Sequence, residues 1–228
     1  MSNREVVILS GVRTAIGDYG GSLKDIPATD LAARVVKEAM ARAKADPQAV
    51  GQCVMGNVIH GEAADMYISR VACVKGGLPV TTGALTVNRL CGSGMQAIIT
   101  AAHYILLGDT DAAVGGGAES MSRAGYMSTT QRWGARMGDS KMIDMMVGAL
   151  TDPFDVVHMG VTAENIATRY KITRAQTTPT PGSTASAVSG RRASHGSWPR
   201  RPRSTTSPAT VPSAALTTIG SPAMSIVR

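Results

Sequence analysis

One of the three cysteines stands where a thiol can act as a nucleophile. Cys91 lies between a predicted strand that ends at Asn88 and a predicted helix that begins just after it. The start of a helix presents unpaired N–H groups and the positive end of the helix dipole, an environment that favours the thiolate. Gly92 and Gly94 leave the backbone open to a substrate carbonyl, and their N–H groups could hold an oxyanion. This pattern predicts acyl transfer through sulfur.

A second interpretation of Cys91 is a small buried residue, which is the common role of a free cysteine. Cys53 and Cys73 fall within a predicted strand and an apolar helix face, so we expect both to pack in the core. The three cysteines form no CxxC pair and have no histidine-rich neighbour, which excludes a disulfide framework and a zinc knuckle. No metal site is expected.

Alternating strands and helices must position Cys91. Up to Gln176, strands are predicted over 6–9, 52–58, 84–87 and 112–114. A helix with a threonine cap is predicted over 29–45, and further helices over about 65–75, 92–107, 141–150 and 161–170. The alternation indicates a layered α/β domain with a mixed or parallel sheet. No apolar run approaches the length of a membrane span, so no membrane association is expected.

Composition changes at Gln176. The net charge of the whole chain is +7, yet residues 1–176 contain 17 Lys and Arg against 16 Asp and Glu, and residues 177–228 contain six Arg and no acid. The second segment is rich in Ser, Thr, Pro and Ala and has no periodic apolar face, which is typical of disordered chain. Aromatic residues make up only 4% of the sequence, which argues against stacking on nucleic-acid bases.

Several stretches of the sequence carry motifs of one known family. The segment 87–105, with Asn88, Cys91, Ser93 and Gly94, is similar to the thiolase acyl-enzyme signature. The other similar stretches are Arg13-Thr14-Ala15-Ile16-Gly17 (with alanine where proline is usual), Gly56-Asn57-Val58, Gly115–Ser122, Lys141–Asp144 and His158–Asn165. Gly115–Gly117 does not fit a dinucleotide-binding pattern, and a tight turn packed near the Cys91 helix accounts for it. The segment 131–138 resembles a tetramer-forming loop.

The resemblance implies a fold, a reaction and a set of roles. It implies a thiolase-like layered α/β fold: an N-terminal domain over 1–118, part of a loop domain over 119–176, and an unstructured basic tail over 177–228. Cys91 would accept the acyl group of a 3-ketoacyl-CoA or acetyl-CoA, with its own N–H in an oxyanion hole. Met159 and His158 would bind substrate, although a structural role beside a helix start is an alternative for His158. Coenzyme A thioesters would be substrates, with no other cofactor.

Three thiolase motifs do not occur in this sequence. They are N-E-A-F-A, G-H-P and C-x-G-G-G, which in the family supply a water-holding Asn, an activating His and a second Cys. Without this acid–base chemistry we expect the 228-residue chain to have little or no activity. A shifted reading frame explains the tail, because one added base before codon 177 can restore a thiolase-like Asp-Asp-Ala-Tyr-Ala helix. A flexible tail and a basic arm remain alternatives.

The predicted function is therefore a thiolase-type acyl-CoA acyltransferase of fatty acid metabolism, impaired in this truncated chain. Two other functions stay open: a non-catalytic thiolase-like fragment, and a binder of anionic polymers acting through the tail arginines. The expected partners are acyl-CoA, CoA and further copies of the chain, as a dimer or tetramer, rather than nucleic acid. The absence of a signal-peptide pattern near residue 1 predicts a cytoplasmic protein.

Overall fold

The computed structural model describes residues 4–177 and 224–227, which belong to two compact units. The described part of the first unit comprises 4–149 and 224–227, and that of the second unit comprises 150–177. The boundary predicted after Ala118 stays a prediction.

A mixed sheet forms the centre of the first unit. Its strands are β1 (Ile8–Val12), β2 (Val50–Gly56), β3 (Gly83–Val87), β4 (Ala112–Gly117) and β7 (Met224–Val227), in the spatial order β1-β7-β4-β2-β3. Strand β2 runs parallel to β3 and to β4, whereas β7 runs antiparallel to β1 and to β4. The predicted α/β class is confirmed.

The three parallel strands end at the same level. Gly56 is the register partner of Val87 in β3 and of Gly117 in β4. Just beyond these ends, the Asn57 N–H donates to the Val87 carbonyl oxygen (3.2 Å), and the Ala118 N–H donates to the Gly56 carbonyl oxygen (3.1 Å). The chain segments that follow the three strands therefore meet at one edge of the sheet, where parallel α/β folds place their functional residues.

Both faces of the sheet are covered. Helices α1 (Ala28–Ala43) and α2 (Ile68–Lys75) pack on one face, and α3 (Ser93–Leu107) packs on the other. Successive side chains of a strand point to opposite faces, so Met55 joins the α1–α2 cluster while its neighbour Val54 joins the α3 cluster. Both side chains are fully buried, which explains the continuous apolar run of β2.

Short elements follow β4. Strands β5 (Tyr126–Met127) and β6 (Ile143–Asp144) pair antiparallel, and helix α4 (Met145–Ala149) follows directly. The second unit contains α5 (Met159–Tyr170) and α6 (Arg174–Thr177). The helix predicted over 141–150 is thus shortened to five residues, because its first part forms β6.

The predicted threonine cap on α1 is wrong. Pro27 is the N-cap residue, and its carbonyl oxygen accepts from the Asp30 and Leu31 N–H groups at 3.1 and 3.2 Å. Thr29 lies inside the first turn and is buried. The extended conformation of Pro27 starts the helix before a hydroxyl cap is reached.

Two further expectations need correction. The window Leu90–Leu107 has a mean hydropathy of 1.4 and is long and apolar enough to cross a membrane, contrary to the sequence prediction. Its helix α3 instead buries Ala97, Ala101 and Ile105 against the sheet, as the core helix of a globular domain does. Within the predicted unstructured tail, Met224–Val227 forms strand β7, whereas 178–223 and 228 lie outside the described residues.

Candidate active site around Cys91

Cys91 lies at the carboxyl edge of the sheet. It follows β3 by four residues and precedes α3, whose N-cap is Gly92. Its side chain is exposed, whereas Cys53 and Cys73 are fully buried. The exposure removes the alternative that Cys91 is a buried core residue, and core packing of the other two cysteines is confirmed.

The turn before Cys91 has an unusual backbone conformation. Leu90 has φ +48°, in the left-handed region that residues with a Cβ disfavour. Its N–H donates a 2.9 Å hydrogen bond to the Asn88 side-chain oxygen. The left-handed residue turns the chain sharply from β3 towards α3, and Cys91 follows at once. The sequence pattern predicted a nucleophile at Cys91 but not this conformation, because a leucine carries no sequence signal for positive φ.

The Ser93 hydroxyl, in the first turn of α3, forms hydrogen bonds with the same turn. It accepts from the Arg89 N–H at 2.9 Å and donates to the Leu90 carbonyl oxygen at 2.6 Å. Ser93 is only 5% exposed, so these bonds form away from competing water. Cys91 thus lies between Leu90 and Ser93, two residues that the Ser93 hydroxyl links by a hydrogen bond.

Close approaches between glycines and α3 fix the helix on the sheet. An added Cβ at Gly56 would lie 2.7 Å from the carbonyl carbon and from the Cβ of Ser93, and one at Gly115 would lie 2.9 Å from the Ile98 Cα. The expected close packing of the Gly115–Gly117 segment near the Cys91 helix is therefore confirmed. The segment lies within strand β4, however, and is not a turn.

One predicted oxyanion donor is already engaged. The Gly92 N–H donates a 3.0 Å hydrogen bond to the Arg89 carbonyl oxygen, which closes the turn. The suggestion that this N–H could hold an oxyanion is wrong for the conformation described, because each N–H has a single proton to donate. The Cys91 N–H remains the predicted donor.

A buried carboxylate ties together the ends of β2 and β4. Glu119 is 9% exposed and accepts hydrogen bonds from the Asn57 side-chain amide (3.0 Å), the Val58 N–H (2.9 Å) and the Ile59 N–H (3.0 Å). Burial raises the pKa of Glu119 to about 7, with a smaller contribution from Asp65, while the three hydrogen bonds act in the opposite direction. Glu119 belongs to the thiolase-like stretch Gly115–Ser122, from which no role for this residue was predicted.

Glu119 also lines a cavity of about 430 Å³ in the first unit. Apolar side chains provide much of the remaining wall, among them Ile16, Tyr19, Leu31 and Met146. A buried carboxylate beside apolar walls agrees with the raised pKa, because little solvent stabilises the charged form.

The two buried cysteines interact with each other across the β2–α2 interface. The Cys53 Sγ lies 3.8 Å from the Ser69 carbonyl oxygen, one helical turn before Cys73. The proximity of the Cys53 thiol lowers the pKa of Cys73, while the same contact and burial raise the pKa of Cys53 well above its usual value. The sequence predicted two core residues but not their contact.

His158 and Met159 belong to the second unit. The His158 Nδ1 accepts a 3.0 Å hydrogen bond from the Gly160 N–H, which makes His158 the N-cap of α5. The Met159 N–H donates to the Leu150 carbonyl oxygen at 2.9 Å, and its side chain is half exposed. The structural alternative for His158 thus has direct support, and substrate binding by both residues stays a prediction.

Across residues 4–177 and 224–227, no group of three or more His, Cys, Asp or Glu side chains could hold a metal ion.

The sequence is similar to characterised proteins over this same region. Residues 6–179 match the family model described as thiolase, N-terminal domain. The chain is 64% identical to the Cupriavidus necator protein named beta-ketothiolase BktB, over 76% of this chain and 44% of that protein. It is 45% identical to an acetyl-CoA acetyltransferase of the same organism, over 75% of this chain and 43% of that protein.

Solved structures agree with these matches. Human mitochondrial 3-ketoacyl-CoA thiolase in complex with CoA superimposes with a TM-score of 0.73 at 39% identity, over 76% of this chain and 44% of that one. The Bacillus anthracis acetyl-CoA acetyltransferase superimposes with a TM-score of 0.71 at 38% identity, over 74% of this chain and 43% of that one. The chain spans less than half the length of these relatives. Through the domain that carries Cys91, the chain belongs to the thiolase family.

Proposed function

We propose that Cys91 forms an acyl-enzyme with the acyl group of a coenzyme A thioester, the first half of a thiolase-type acyl transfer. The observation that carries the proposal is the exposed thiol at the start of α3, at the edge where three parallel strands end. The names of two similar proteins, a beta-ketothiolase and an acetyl-CoA acetyltransferase, support this reaction class.

The proposed step needs no reactant other than the Cys91 thiol and the CoA thioester. The Cys91 sulfur attacks the acyl carbonyl carbon, the bond from that carbon to the CoA sulfur breaks, and a thioester to Cys91 forms. The proton lost by Cys91 is matched by the proton gained by the departing CoA thiolate. Developing charge on the carbonyl oxygen would be stabilised by a backbone N–H, for which that of Cys91 is our candidate.

We expect the reaction of this chain to stop at or near the acyl-enzyme. The family's His and second Cys, which the resemblance gives acid–base roles, belong to motifs that this sequence does not contain. Loss of general acid–base help costs about 10²–10⁴-fold in rate, and loss of an oxyanion donor about 10²–10³-fold. Carbon–carbon bond formation needs both kinds of help, whereas exchange between two thioesters needs less.

The proposal also assigns roles to two residues of the second unit and includes an oligomeric state and a location. Met159 would line the acyl pocket, a role suited to a flexible apolar side chain, and His158 would lie beside the thioester. A dimer or tetramer is proposed, and the strongly exposed Trp133 (85%) and Met137 (97%) in the predicted tetramer-forming loop are consistent with it. A cytoplasmic location is proposed on the sequence pattern alone.

Release of CoA tests the proposal. The purified chain is mixed with acetyl-CoA, and free CoA thiol is followed with a chromogenic disulfide after rapid removal of protein. We expect about one equivalent of CoA per chain and no accumulation of acetoacetyl-CoA. No CoA release would contradict the acyl-enzyme, and sustained acetoacetyl-CoA formation at an ordinary enzyme rate of roughly 1–10³ s⁻¹ would contradict the proposed impairment.

A further inference from the structure

We infer that Ser93 and Asn88 are positioning residues, which hold the turn at Leu90 in the one conformation that presents Cys91 to an acyl thioester. The inference rests on the proposed function and extends it to two side chains that act through the backbone on either side of the nucleophile.

The conformation of Leu90 needs an external cause. A leucine at φ +48° is disfavoured because its Cβ crowds the following carbonyl. Burial of its side chain does not supply the compensation, because Leu90 is 58% exposed. The hydrogen bonds to its own N–H and carbonyl oxygen are therefore the interactions that can hold it there.

Both of those groups are bonded by neighbouring side chains. Asn88 accepts from the Leu90 N–H at 2.9 Å, and the Ser93 hydroxyl donates to the Leu90 carbonyl oxygen at 2.6 Å, in addition to a 3.0 Å bond from the Ser93 backbone N–H to the same oxygen. Ser93 also accepts from the Arg89 N–H at 2.9 Å. Its hydroxyl thus bonds residues that precede the helix, so it stabilises the turn that holds Cys91.

Ser93 connects this turn to the sheet. Ser93 is almost fully buried, and Gly56 at the end of β2 approaches it so closely that no Cβ would fit between them. Because Ser93 is held against the sheet and is hydrogen-bonded to Leu90, it constrains the position of Leu90, and hence of Cys91, relative to the strand ends. A displacement of about 1 Å at a reacting group can cost on the order of 10²-fold in rate, so small shifts of this turn matter.

The first arm of the test measures acylation. The full chain and its Ser93→Ala and Asn88→Ala variants are mixed with acetyl-CoA, and the acyl adduct is followed by intact-protein mass spectrometry. Ser93 makes two of the three side-chain hydrogen bonds at this turn, whereas the backbone bonds of Gly92 and Ser93 survive both substitutions. We therefore expect the loss of the Ser93 hydroxyl to slow acylation by roughly 10-fold, and the loss of Asn88 to have a smaller effect. Ser128→Ala is the matched control, since its hydroxyl lies 3.3 Å from the Ser140 hydroxyl in a different loop.

A second substitution separates positioning from folding. Glycine adopts positive φ without the penalty that leucine incurs, so Leu90→Gly in the Ser93→Ala background is expected to recover part of the lost rate. A serine that merely filled space beside Gly56 would show no such recovery. Circular dichroism of each variant confirms that the chain is folded.

The third arm of the test measures opening of the turn by proteolysis and needs no acyl substrate. Arg89 precedes Leu90, so trypsin can cut between them only when the turn opens, and we expect Ser93→Ala to be cut there several-fold faster than wild type or Ser128→Ala. A wild type that forms no acyl adduct would contradict the proposed function, and the trypsin arm would still decide the positioning role. Wild-type acylation and cleavage rates in folded Ser93→Ala would overturn the inference.

Discussion

The Glu119 carboxylate accepts a 3.0 Å hydrogen bond from the side-chain amide of Asn57, 62 residues earlier in the chain. The same amide donates to the Ala118 carbonyl oxygen at 2.9 Å. The two residues join the loops that follow β2 and β4. Because the Asn57 N–H also donates to the Val87 carbonyl oxygen at 3.2 Å, the buried acid is linked through Asn57 to the end of β3, four residues before Cys91.

The raised pKa of Glu119 predicts a pH dependence of stability. Its ordinary value is 4.5 and its value in the folded chain is about 7, so between these values the folded state keeps a proton that the unfolded state has lost. The free energy of unfolding should therefore fall as pH rises from about 4.5 to about 7, with no further change from this group outside that window. Urea unfolding at several pH values measures the slope.

Glu119→Gln should flatten that slope, because an amide does not titrate. Glu38→Gln is the control for the loss of one carboxylate, because Glu38 lies on α1, where it pairs with Arg42 at 2.7 Å, and is only partly buried. An unchanged slope in Glu119→Gln would show that the acid does not titrate as described.

The contact between β2 and α3 predicts the effect of one added methyl group. Gly56→Ala places a Cβ 2.7 Å from the Ser93 backbone, so the helix must move away from the sheet. We expect a loss of about 1–3 kcal/mol in the free energy of unfolding and slower acylation of Cys91. Gly148→Ala is the control, because its Cβ would meet only the Ile143 side chain, at 3.9 Å. Equal stability of the two variants would contradict the described packing.

The three cysteines should differ in accessibility. Iodoacetamide is expected to modify Cys91 in the folded chain, and Cys53 and Cys73 only after unfolding, because both are fully buried. Peptide mass mapping before and after addition of urea measures this order. Modification of Cys73 in the folded chain at the rate of Cys91 would contradict the assignment of Cys73 to the core.

The capping role of His158 can be separated from substrate binding. His158→Ala removes the acceptor for the Gly160 N–H, and we expect that amide to exchange faster and α5 to lose about 1 kcal/mol. His158→Asn keeps a capping side chain and should preserve protection of the amide. If His158→Asn protects the amide but slows acylation, the residue also serves the substrate; equal exchange in all three chains would contradict the cap.

Much of the framework of the first unit could be predicted from residue patterns. The apolar run of β2 and the apolar face of α3 depend on burial, which sequence periodicity records. Strand β7 could not be predicted, because its pairing with β1 and β4 depends on residues far away in the chain.

The candidate site shows the same division. Cys91 was identified because its type and its place before a helix are both local features. The left-handed Leu90 and the bonds that hold it depend on side-chain geometry, and nothing in the leucine itself indicates them. The role of Glu119 was missed because its hydrogen-bond donors, 57–59, come together with it only when β2 and β4 pair.

We propose that Cys91 carries the acyl group, and site-specific mapping of the adduct examines the thiol itself. Wild type, Cys91→Ala and the matched control Cys53→Ala are incubated with acetyl-CoA, digested and examined by tandem mass spectrometry. We expect one acyl group on the peptide that contains Cys91 in wild type and in Cys53→Ala, and none in Cys91→Ala. An adduct that persists in Cys91→Ala, or one that maps to Cys53 or Cys73, would contradict it.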